Sequence, residues 1–150
     1  MRRAFILRRD PRVSRREIVQ FAEAATALII AWAAIRILPF RIVMRTTEGR
    51  RAEVNRSAAD TSAVGREVRR ADKRAARRLP RAIDCIPEGL AAHWMLRRRG
   101  APSQLHYGLR PSQATLSAHV WVTLAGEIIV GEERDDPHTC VAVFPQASST

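Results

Sequence analysis

The chain has 150 residues, 46% of them hydrophobic and 27% charged, which suits one folded domain and excludes both a disordered segment and two full-sized domains. Its formal net charge is +11, and all of its 26 basic residues except Lys73 are arginines, a balance that suits an anionic partner such as a phospholipid surface or an acidic peptide. No zinc-finger spacing, aromatic RNA-binding signature or helix-turn-helix accompanies that charge, so nucleic acid is not the expected partner.

Residues 1–13 form a basic, proline-containing lead-in. Ser14 to Glu17 then reads as a capping box, S-R-R-E, in which the serine oxygen and the glutamate carboxylate satisfy unpaired helix-start amides. The helix predicted from there, through IVQFAEAATALIIAWAAIRIL, stops at Pro39. Its apolar run from Ala24 to Ile35, with Thr26 tolerated, is 12 residues long and bounded by Glu23 and Arg36. A bilayer span needs about 20, so a buried or amphipathic helix is expected. Contact with a membrane surface, with Arg36, Arg41 and Arg45 near the headgroups, is the alternative. TTEGRRAEVNR, residues 46–56, is polar and reads as a loop.

A second helix is predicted from Ser57 or Asp60 to Leu79, where Val64, Val68, Ala71, Ala75 and Leu79 recur at helical spacing and leave arginines on the other faces. Pro80 breaks it, and residues 81–84 are a short link. A third helix opens at Cys85 and Ile86, with Pro87 in its first turn, and ends at Arg97–Arg99 and Gly100. After that the period changes to two. QLHYGLR reads as a strand, LSAHVWVTL and EIIVG as a hairpin about Ala125-Gly126, and CVAVFP as an edge strand. The fold class is therefore α+β, N-terminal helices followed by a small antiparallel sheet.

Cys85 and Cys140 make no disulfide framework, and no small-residue cleavage site follows the apolar helix. Free thiols in a reducing compartment, the cytoplasm, are expected. A thiol at a helix start sees unpaired amides and the positive end of the dipole, which favour thiolate and can hold an oxyanion. Of the four histidines, His93 lies eight residues along the same helix, about 12 Å away, and His138 falls in a charged tail where a surface position is expected. His119 alternates with Val120 and shares a strand face with Trp121, so a strand packed on the cysteine helix would carry an imidazole to the sulfur as general base. His106 is the second candidate. For a third, orienting residue, a two-residue turn pairs Leu124 with Glu127, Val122 with Ile129 and His119 with Glu132; a loop one residue different pairs His119 with Gly131, which has no side chain, and Asp135 and Asp136 are the fallbacks. A zinc site from Cys85, His119, Cys140 and another histidine lacks any short ligand pair to anchor it.

RAARRLPRAIDCIPEGLAAHWMLRRRGAPSQLHYGLR, followed by LSAHVWVTLAGEIIVGEE, resembles the stand-alone leader peptidases of lasso peptide biosynthesis, which are similar to the C-terminal domain of the microcin J25-processing protein. The resemblance covers about residues 15 to 135. It implies a papain/transglutaminase-like cysteine peptidase core of the transglutaminase-like superfamily. On it, residues 1–45 are a lead-in and apolar helix, and residues 46–150 a catalytic domain, together one compact unit. Cys85 matches the nucleophile and His119, in AHVWV, the base. The aspartate of some members falls at Gly131 here, which leaves Glu132, Glu133 or Asp135 for the third role. Ile86 and Glu88 stand where members commonly show Leu and Arg.

The resemblance further implies removal of a leader from a ribosomal precursor peptide, without metal or organic cofactor. A small partner protein captures that leader, and a cyclase closes the ring afterwards. The Arg-rich face of residues 66–78 is the candidate docking surface for acidic peptide or partner residues, with a merely solvated surface as the alternative. Two other readings stay open: an acyl transferase forming the same thioester, and a catalytically weak basic scaffold that binds an acidic leader or a membrane surface. The expected location is cytoplasmic, with peripheral contact at the inner face of the membrane as the alternative.

Overall fold

Ser14 opens the first helix as its sequence requires. Its side chain accepts from the Arg16 amide at 3.3 Å, and its own N–H donates to the Glu17 carboxylate at 3.0 Å. This capping box heads α1 (Arg15–Ile37), and Pro39 separates it from a short α2 (Phe40–Arg45) that periodicity alone does not single out. The structure, a computed structural model, describes residues 14–48, 57–79, 84–112, 115–131 and 138–145. The remaining helices are α3 (Ala58–Arg78), capped by the Ser57 side chain, and α4 (Cys85–Arg98), with Asp84 at its N-cap position. The strands are β1 (Ser103–Ser112), β2 (Thr115–Leu124), β3 (Glu127–Val130) and β4 (Thr139–Phe144).

The four strands form one antiparallel sheet in the order β3-β2-β1-β4, with the helices layered on one side of it. This is the expected α+β arrangement. Packed on α1, α3 and the sheet, α4 is the central helix and buries Leu90, Ala91, Ala92, Met95 and Leu96. Residues 120, 122 and 124 of β2 alternate inward as Val, Val and Leu, all at most 3% exposed. Gly89 lets the two elements meet, since a Cβ there would lie 2.5 Å from Val120 Cγ1. The α3 stripe is buried at Val68, Ala71 and Ala75 as its spacing predicts, but Gly65 and Asp72 are buried with it.

Only part of α1 faces the core. Ala24, Leu28 and Ala31 are fully buried, while Ile18, Val19, Ile29, Ile30 and Ile37 are exposed. Two of its acids are held by arginines from elsewhere in the chain: Glu17 by Arg74 of α3 at 3.2 Å and Glu23 by Arg99, the residue after α4, at 2.6 Å. By length and composition α1 is long and apolar enough to cross a membrane, at a mean hydropathy of 1.8 over its best window. The shorter sequence count stops at Glu23 and Arg36, whereas the helix runs through both.

Candidate active site

Cys85 is the first residue of α4, half-buried, and its thiol donates to the carbonyl of Ala118 at 3.8 Å. The hairpin explains why that carbonyl is available. Ala125 and Gly126 take positive φ, 51° and 83°, and close a two-residue turn, so Leu124 exchanges main-chain bonds with Glu127. Every second residue back along β2, including Val120 and Ala118, then turns its main-chain groups to the β3 side. The last residue of β3, Val130, pairs with Val122. Further back along that edge, the tip of α4 meets β2 at Ala118.

Burial is the main influence on the thiol and pushes it up; the Val120 main chain opposes this and the Asp84 carboxylate adds to it. The sequence argument from the helix start points the other way. Helix-start amides do favour thiolate, but desolvation and the flanking acids Asp84 and Glu88 outweigh them here. At neutral pH the resting sulfur is a protonated thiol.

His119 leans over the same edge, its Nε2 3.2 Å from the carbonyl of Gly131, the residue that follows β3. The ring stacks on Trp121 at 6.1 Å between centroids, and Trp121 stacks in turn on His106 at 5.2 Å. His138 lies 5.2 Å from His119 on its other side, half-buried, with Nε2 3.4 Å from Ser117 Oγ. This corrects the surface position expected for His138. Its signal was the edge strand that follows it, which returns the chain to β1. Gly108, opposite His119 in the register, keeps this face open: a Cβ there would come 2.7 Å from the Trp121 ring and 2.9 Å from His138 Cβ.

Among the described residues no hydrogen bond joins the Cys85 sulfur to a His119 nitrogen; each donates to a main-chain carbonyl of its own. The expected third residues, Glu132 and Asp135, lie outside the described residues. The register that selected Glu132 is changed, however. Leu124 pairs with Glu127 as expected, but a bulge sets Val122 against Val130 and not Ile129.

The other candidates separate cleanly. His93 is fully buried, donating through Nε2 to Thr47 O at 3.4 Å and facing Ser103 Oγ with Nδ1 at 3.0 Å. Burial holds it down to about 4, so it is a neutral structural histidine. His106 bonds Thr123 Oγ1 at 2.8 Å, and burial lowers it as well. Cys140 is exposed on the edge strand β4. No group of three or more His, Cys, Asp or Glu side chains among the described residues is placed to hold a metal ion.

One buried acid had no sequence signal beyond its place on α3. Asp72 is fully buried, and neither of its oxygens has a hydrogen-bond donor among the described residues. Burial, reinforced by the carboxyl of Glu88 one turn after Cys85, raises it to about 8. The acid pair therefore carries a proton at neutral pH, which supplies the donor that two carboxylates would lack.

Comparison with known proteins bears on the whole unit. No curated protein and no solved structure matches the chain. The family model of the transglutaminase-like superfamily matches residues 24–143, from the middle of α1 to the end of β4, and that superfamily typically comprises cysteine peptidases and acyl transferases. With four-fifths of its length inside that match, the chain belongs to the transglutaminase-like superfamily.

Proposed function

We propose that this protein is a cysteine peptidase that removes the leader from a lasso peptide precursor, with Cys85 as nucleophile and His119 as general base. The observation that supports this most is the position of the thiol, 3.8 Å from Ala118 O, at the edge of the strand that carries His119. In this reading the thiol turns from the Ala118 carbonyl to Nδ1 of His119 and leaves its proton there as sulfur attacks the scissile carbonyl. Amides of the first turn of α4 hold the oxyanion. The C–N bond then breaks as His119 returns the proton to the leaving amine, the N-terminus of the core peptide. Water hydrolyses the leader thioester and restores the thiol. A thiol raised by burial suits this general-base route better than a preformed thiolate. The chemistry calls for neither metal nor organic cofactor.

Transfer of the same thioester to an amine would give a joined product, so product mass tests the reaction. Incubation with precursor is expected to yield separate leader and core; a leader joined to an amine would establish acyl transfer. A small leader-binding partner is part of the proposal, raising the rate through effective concentration, with the lasso cyclase as a further associate. The basic face of α3 remains the docking candidate, although Arg74 is paired with Glu17, and Arg69 donates to Ile128 O at 3.5 Å. Charge reversal at Arg69, Arg70 and Arg74 should reduce the partner's stimulation; unchanged stimulation would remove this face from the model. We place the protein in the cytoplasm, with the exposed apolar side of α1 meeting a partner or the inner membrane surface without spanning it. Release by carbonate is the expected behaviour, and release by detergent alone would contradict it.

A further inference from the structure

We infer that the main-chain carbonyl of Gly131 fills the third, orienting role beside His119, which the sequence assigns to an acidic side chain. This rests on the reading of His119 as the general base. A carbonyl oxygen can only accept, so the 3.2 Å contact from Nε2 requires that Nε2 carry the proton. In the neutral ring the proton then sits on Nε2, and Nδ1 is the nitrogen able to take a proton from the thiol. The carbonyl thus sets both the tautomer and the direction of the ring, the two tasks of an orienting residue, while adding no full negative charge.

The backbone at this point is built for that contact. The bulge between Val122 and Thr123 shifts the end of β3 along β2, so residue 131 arrives beside Val120 and Trp121. Gly131 has φ of +81°, where L side chains are strained. A Cβ there would stand 2.4 Å from Val120 O and 2.7 Å from Trp121 Cα, both backbone atoms that cannot swing away. No side chain, acidic or otherwise, can replace Gly131 without displacing the carbonyl that His119 uses. The residue is a positioning residue acting through its main chain.

Histidine-selective 15N NMR tests this without substrate, with His119→Gln identifying the signal. The expected spectrum shows the neutral His119 ring as a single Nε2–H tautomer. An Nδ1–H tautomer or a mixture would overturn the inference. In Gly131→Ala the tautomer should become mixed, and kcat should fall by about 10²-fold with KM within about twofold, the signature of a misaligned base. A folded Gly131→Ala that keeps both the tautomer and kcat would also overturn it. If that variant does not fold, the wild-type tautomer decides alone. The spectrum also separates this inference from the function it rests on. A single Nε2–H tautomer in a protein that cleaves no precursor would remove the peptidase reading, and an Nδ1–H tautomer in an active enzyme would remove only the role of Gly131.

Discussion

The two faces of β2 carry opposite kinds of information in alternate residues of one strand. Val120, Val122 and Leu124 face the helices and are buried by apolar packing alone. His119, Trp121 and Thr123 face the other way, into a row of rings that runs from His106 through Trp121 and His119 to His138. The first face is held by area removed from water and tolerates little loss of volume. The second depends on particular nitrogen atoms and their partners and contributes less to stability. Substitutions on one face should therefore move stability, and substitutions on the other should move chemistry.

The largest separation is expected at His119. His119→Ala should lower leader cleavage by roughly 10²–10⁴-fold, the range for removal of a general base, while thermal melting changes by no more than a few degrees. Cleavage within a fewfold of wild type would break the distinction between the faces. Leu124→Ala is the counterpart on the inner face. It should cost about 2–5 kcal/mol, read by denaturant titration, with cleavage per folded molecule unchanged. A variant of wild-type stability would show that this face is not the core.

Below these lies the acid pair behind α4. Asp72 is raised in the folded protein to about 8, against an unfolded value near 4. Its contribution is therefore fully present below about pH 4 and is lost as pH rises through about 8. Asp72→Asn should melt close to wild type at pH 4 and several degrees higher at pH 9. Equal melting at both pH values would mean that the pair carries no such proton. The smallest effect belongs to Cys140 on the edge strand: Cys140→Ser should leave cleavage unaltered and stability within about 0.5 kcal/mol.

The inner face was legible because it is a matter of period. Alternation in LSAHVWVTL, the Ala-Gly turn, the capping box at Ser14 and the proline at position 39 each act over a few residues, and the elements follow them closely. The cysteine at a helix start and the histidine on a strand were legible for the same reason, as local placements. What escaped depends on distant contacts. Burial reversed the direction expected for the Cys85 thiol, because the helix-start argument carries no knowledge of the strand edge beneath the sulfur. One bulged residue in the short β3 moved the partner of Val122 from Ile129 to Val130, which a count from the turn does not register. His138 read as tail, although the return of β4 to β1 brings it beside His119. Asp72 carries no sequence signal beyond its place on a charged helix, since the Glu88 carboxyl that meets it belongs to α4.

The central claim is that the sulfur of Cys85 performs the reaction, and comparison of wild type with Cys85→Ala on the same precursor tests it most directly. Product masses should be followed after circular dichroism has shown both proteins folded. The account predicts separate leader and core from the wild type and neither from Cys85→Ala, since the change removes one half-buried sulfur and little packing. Leader release by a folded Cys85→Ala at the wild-type rate would contradict it.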